Sequence, residues 1–232
     1  MAIGTQFLTL RTNLRAELRR STTVNVGVSD VGSLDRTLNH VYRTLYLQKD
    51  WAHLRKVFTL QLATGQRHYD FPTGLNPDRV ESVAVYWAGT PVDLPRGIGF
   101  EQMNEFDSDE DERFEPAMRW DVRWTGSATQ IEIWPIPSTG NQKVRFKGIQ
   151  AIEPLVNDED TCMLDDELVV LWAAAELATA ADLKDAAHKR ELAQAHLAML
   201  SRRMRGGERE YRLGVEGHDV RPFPRVTVQI RS

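Results

Sequence analysis

Residues 50–72 read DWAHLRKVFTLQLATGQRHYDFP, and within this stretch the chain changes its period. Before it, apolar residues recur at three- and four-residue steps, with Leu34, Leu38, Tyr42 and Leu45 on one helical face. From Val57 the step is two. Phe58, Leu60 and Leu62 alternate with Thr59 and Gln61, Ala63-Thr64-Gly65-Gln66 turns, and Tyr69 and Phe71 mark a short strand. A helix therefore gives way to a hairpin, and Trp51 is expected to plug the junction.

Working outward, residues 5–20 read as an amphipathic helix. Phe7, Leu10, Leu14 and Leu18 form its apolar stripe, and Arg11, Arg15 and Arg19 a basic one. Residues 21–29 read as an irregular connection, and Ser33 is expected to N-cap the second helix, which runs to about Lys49. On the other side of the hairpin, Val83, Val85 and Trp87 mark a strand. In MRWDVRW (118–124), Met118, Trp120, Val122 and Trp124 share one face, opposite Arg119, Asp121 and Arg123. Thr125-Gly126-Ser127 turns it into Ile131 and Ile133, and Val144 and Phe146 alternate with Lys143, Arg145 and Lys147. One dry and one wet face per strand predict antiparallel pairing.

From Asp165 the sequence is helical and Ala-rich. Leu168, Leu171, Trp172 and Ala175 form a stripe, Leu183, Ala187, Leu192 and Leu197 continue the apolar content, and 181–185 is a break. After Met204 come glycines, prolines and arginines, then Val226, Val228 and Ile230 alternating with polar residues. The expected fold is α+β. Two N-terminal helices (1–56) and a C-terminal helical hairpin (156–204) form an α-helical bundle, into which an antiparallel β-sandwich or barrel (57–155) is inserted. An extended tail (205–232) follows.

The 232 residues are 41% apolar and 27% charged, an ordinary globular composition, with no run long enough to span a membrane. The start, MAIGTQ, lacks the basic and apolar regions of a secretory signal, so the cytoplasm of the cell that makes it is the expected compartment. Cys162, the single cysteine, has no disulfide partner in the chain. Net charge is 29 − 33 = −4, which argues against a surface that wraps nucleic acid.

The loudest chemical feature is EFDSDEDERFE (105–115), with seven carboxylates against Arg113. Asp107, Asp109 and Asp111 match the first positions of a calcium loop, but Glu112 stands where glycine is needed and Met118 where the closing glutamate should be. The run starting at Asp158 and Asp160 fails in the same way, at Met163 and Val169. A solvated loop without a cofactor is the expected reading. Cys162 lies among acidic residues, which disfavours a thiolate, and no nucleophile elbow, zinc pair or phosphate loop is present. Trp120, Trp124 and Trp134 suit a sheet core better than a stacking platform. Two other functions stay open: a metal-dependent phosphoesterase using the carboxylates of 105–115 or 158–167, and a sugar or nucleic-acid binding module on Trp120 and Trp124. The remaining profile, with no evident active site and separated charge clusters, is one of assembly.

The run Asp50-Trp51-Ala52-His53-Leu54-Arg55, Phe58-Thr59-Leu60 and Gly65-Gln66-Arg67-His68-Tyr69-Asp70-Phe71-Pro72 resembles the head-to-tail adaptor proteins of tailed bacteriophages. There a helix ending in an Asp-Trp-x-x-Leu-like turn leads into a hairpin with a Gly-Gln-x-x-Tyr-x-Leu-Pro-like stretch, then a β-rich insertion and an Ala-rich helical pair. Phe71 stands where leucine is usual. The resemblance implies a non-enzymatic virion protein of the neck, forming a ring, commonly dodecameric, below the portal. It also implies contact with a downstream tail protein and passage of double-stranded DNA through the lumen without sequence-specific contacts. The C-terminal extension would dock on the portal, making Arg221, Phe223, Arg225, Val226, Val228 and Ile230 candidate contacts. Ring closure needs two unlike faces. Arg11, Arg15 and Arg19 are the candidate basic side, and Asp107, Asp109 and Asp111 the acidic one.

Overall fold

The computed structural model describes residues 3–19 and 28–204. Residues 20–27 and the tail at 205–232, with its six candidate contacts, lie outside the described residues; of the connection expected at 21–29, Val28 and Ser29 belong to a helix. The described residues combine five α-helices with two antiparallel sheets, an α+β architecture.

Helix α1 (Phe7–Glu17) turns Phe7, Leu10 and Leu14 inward, and Arg19, at φ 55°, ends it. Helix α2 (Val28–Gln48) begins five residues before Ser33, so Ser33 is an interior residue and not the N-cap. The reason is physical: apolar periodicity reports burial. Gly32 and Ser33 are exposed, and burial of the stripe is seen from Leu34 onward. Trp51 follows, fully buried, its Nε1 donating to the Leu45 carbonyl at 3.0 Å, and does plug the junction. Helix α4 (Asp166–Ala180) is capped by Asp165, whose carboxylate accepts from the Leu168 amide at 3.0 Å. The break at 181–185 falls where expected, with Asp182 at φ 51°.

The inward face of α5 (Ala186–Met204) is a correction. Leu183 and Leu192 are exposed, as is Ala187, and the buried positions are instead Lys189, Ala193 and Leu200, with His196 half-buried. The Lys189 ammonium donates to the Glu17 carbonyl at 2.9 Å and to the Glu17 carboxylate at 2.7 Å, so it caps the C-terminus of α1. His196 Nε2 lies 2.8 Å from the Asp165 carboxylate. Leu197, of the expected apolar set, does pack on the core, and Lys189 and His196 join it, Ala193 and Leu200 on the inward face. Side chains of α1, α2, α4 and α5 share one core with Trp51, Leu54, Leu155 and Leu164.

The β region forms two sheets. Strands β1 (Arg55–Gln61), β3 (Leu75–Trp87), β4 (Thr90–Asp93) and β7 (Lys143–Gln150) pair in the order β1-β7-β3-β4. Strands β2 (His68–Asp70), β5 (Arg119–Trp124) and β6 (Thr129–Trp134) pair in the order β2-β6-β5. Val83, Val85, Val144 and Phe146 of the first sheet and Tyr69, Trp120, Ile131 and Ile133 of the second belong to one buried cluster. Trp120 meets Phe146 edge-on at 5.8 Å. Strand β4, four exposed residues, and the short helix α3 (Phe100–Glu105) escape sequence reading because they bury too little to show a period.

A joint locks the sheets to the helices. The first residues of β3 are bulged opposite Gly148, where an added Cβ would stand 2.8 Å from Leu75 Cδ1 and 2.9 Å from the Arg79 carbonyl oxygen. The bulge aims Arg79 at the end of α2, which has no basic residue in its own last turn. The Arg79 guanidinium donates to the carbonyls of Tyr46 at 2.7 Å and Lys49 at 2.8 Å, pairs with Asp50, and lies 4.8 Å from the Tyr46 ring centroid.

Candidate assembly surfaces

The acidic segment 105–115 is anchored underneath and charged on top. Trp134 is on the opposite face of β6 from Ile131 and Ile133; its Nε1 donates to the Phe106 carbonyl at 2.9 Å. Phe106 stacks on Phe114 at 4.7 Å and tilts against Trp134 at 5.9 Å. The segment therefore covers part of the outer face of the second sheet. Beneath it, Glu132 is fully buried between Arg67, at 2.7 Å, and Arg123. Arg67 reaches on to Asp109 at 2.5 Å and fastens the loop. Arg67 and its hydrogen bond hold the Asp109 carboxyl below its usual range, as Arg113 does for Asp111.

These contacts decide where the expected interface residues stand. Asp107 accepts from the Asp109 amide at 2.8 Å and caps a single turn, while Asp109 and Asp111 are exposed on ion pairs. The three aspartates are dispersed, and among the described residues no group of three His, Cys, Asp or Glu side chains is arranged to hold a metal ion. On the basic side, Arg11 is committed inside the chain to Asp35 at 2.7 Å and Asp158 at 2.8 Å, and Arg15 is buried. Arg19 alone of that stripe is exposed.

The tryptophans are split in the same plain way. Trp120 and Trp134 are buried on opposite sides of the second sheet, whereas Trp124, 67% exposed, sits at the end of edge strand β5. They do not form a common stacking platform. Cys162 is buried, and burial pushes its thiol up to about 12, with Asp166 and Asp165 adding to the shift.

Sequence reading passed over another surface. A groove of about 570 Å³ runs between α2 and residues 151–154. Arg36, His40, Arg43 and Leu47, exposed at four-, three- and four-residue steps, form its α2 wall. Neither Arg36 nor Arg43 has an ion-pair partner among the described residues. This stripe lies on α2 away from the buried Leu34–Leu38–Tyr42–Leu45 face, and the spacing was legible in the sequence.

The described residues place two sheets between helical segments and carry separate acidic and basic surfaces. In comparison with known families, residues 5–221 match the SU10 adaptor protein family. The chain is a member of that family, a group of bacteriophage head-to-tail adaptors, and its role in the virion is structural. No curated protein sequence matches it. Among the described residues, no helix is long and apolar enough to cross a membrane.

Proposed function

We propose that this adaptor assembles as a closed ring, dodecameric on the portal, which joins the head to the downstream tail protein and leaves a lumen for double-stranded DNA. Family membership over nearly the whole chain is the observation that carries this reading. The tail at 205–232 takes the portal side, with Arg221, Phe223, Arg225, Val226, Val228 and Ile230 as its contacts. A segment that orders on binding can cover a large surface. The helical segments and the β insertion supply the subunit contacts. The outward carboxylates around Asp107, Asp109 and Asp111 form the acidic side of a heterologous interface. Arg19 is the one arginine of the α1 stripe left for the basic side, because Arg11 and Arg15 are held internally.

The test is to mix the purified protein with the portal ring of the same phage, then read mass by light scattering and symmetry by negative-stain imaging. The expected complex exceeds the portal by a full ring of 26.4 kDa subunits. Deleting residues 206–232 should abolish the complex and leave the far-ultraviolet circular dichroism of the folded part unchanged. A truncated chain that still binds would move the portal contact elsewhere.

A further inference from the structure

We propose that the α2 groove receives helix α3 of a second copy of this chain, seating Phe100 against Leu47 and Ile152 and placing Glu101 and Glu105 on Arg36 and Arg43. The proposal rests on the ring reading and names the surfaces that would meet.

The two sides match in charge and in apolar character, and the long arginine side chains cover the difference between about 6 Å along α3 and about 10 Å along α2. Phe100, 85% exposed, is the most exposed large apolar side chain among the described residues, and Leu47 is 61% exposed. Each is costly to leave in water, and a groove that takes an aromatic anchor removes both from it. Glu101 and Glu105 are one helical turn apart, exposed, and without an ion pair among the described residues. Arg36, His40 and Arg43 span two turns, about 10 Å at 1.5 Å per residue. A two-carboxylate helix therefore fits along the basic wall. Glu153 and Asp78 line other parts of the groove, so the acidic face of α3 is directed to α2 and its apolar end to Ile152. Helix α3 also has a fixed base: Gln102 Oε1 accepts from the Gly99 amide at 2.9 Å, and Phe106, directly after it, is packed on Phe114 and Trp134. Groove and helix belong to different parts of the chain, so the contact is head-to-tail and repeats from copy to copy.

The row Lys143, Arg145 and Lys147 on the first sheet is the competing basic surface. It is partly engaged: Arg145 lies over the Tyr86 ring at 4.2 Å and Lys147 is 3.5 Å from Glu81.

Two full-length variants, Leu47→Cys and Phe100→Cys, test the contact; the native Cys162 is buried and does not interfere. Under mild oxidation on assembled rings, the mixture should give a disulfide-linked dimer and neither variant alone should. Adding Arg36→Glu and Arg43→Glu to the first variant should cut the yield about tenfold, and adding Glu101→Lys and Glu105→Lys to the second should restore it. Lys143→Glu with Arg145→Glu should leave it unchanged. Rings that form without the mixed cross-link, or whose cross-link ignores the charge reversals, overturn the groove contact and leave the ring reading standing. A wild-type chain that stays monomeric both alone and with the portal overturns both.

Discussion

Glu132 is a carboxylate with almost no exposed surface, and its two guanidinium partners differ: the Arg67 side chain is 19% exposed and the Arg123 side chain 49%. Removing the carboxylate leaves Arg67 half-paired in a poorly solvated place. Glu132→Ala is expected to cost about 3 kcal/mol in urea unfolding, whereas Arg123→Ala should cost less than about 1 kcal/mol, since solvent replaces the lost partner. Cys162 makes the opposite kind of prediction. With its thiol held near 12 by burial, it should resist iodoacetamide in the native protein at mildly alkaline pH and react once the chain is unfolded in urea. A cysteine alkylated at the same rate in both states would contradict the packing described for it.

Among the elements, α2 shows what a sequence conveys and what it withholds. Its buried face was legible because Leu34, Leu38, Tyr42 and Leu45 repeat with the helix. Its start was not, because Gly32 and Ser33, just ahead of that stripe, are exposed and add nothing to its period. Its end is fixed by Arg79, thirty residues beyond the last turn and in another layer, a contact no local pattern records. Arg79→Ala should orphan the Tyr46 and Lys49 carbonyls and destabilise the chain by about 2 kcal/mol in urea unfolding, and Arg79→Lys should recover only part of that. The strands were readable for the same reason as α2: alternation marks 55–61 and 143–150. Helix α5 was misread where Lys189 and His196, both polar, face inward. The candidate interface was half legible. The acidic segment stands out by composition, but only coordinates show that Arg11 and Arg15 are already occupied.

At the scale of the whole molecule, several carboxylates are held by donors in ways that make stability depend on acid. The Thr139 hydroxyl, then its amide, holds the Glu115 carboxyl below its ordinary 4.5 against the effect of burial, and the Asn157 and Val156 amides hold Asp160 below 3.8. A depressed folded value means the stabilisation is complete above the unfolded value and is lost as pH falls through the folded one. The urea midpoint should therefore be level at neutral pH and fall below about pH 4.5. Thr139→Val should shrink the part of that fall due to Glu115, and a fall of undiminished size would show that the hydroxyl is not its source.

The bulged joint also has a mechanical side. The chain passes from helices to sheets through β1 and returns through β7, and these strands are antiparallel neighbours with Arg55 opposite Ile149. Both links therefore leave the sheet from one end. If the helical segments are pulled away from the sheets along the strand axis, β1 and β7 are drawn the same way and β7 slides against β3, so its hydrogen bonds to β3 are strained together and not one after another. Loading in shear shares tension across the whole strand, and Arg79, reaching from β3 to the end of α2, adds a third strut beside the two links. Load carried this way falls on whole strands at once, which suits a part that joins a head to a tail.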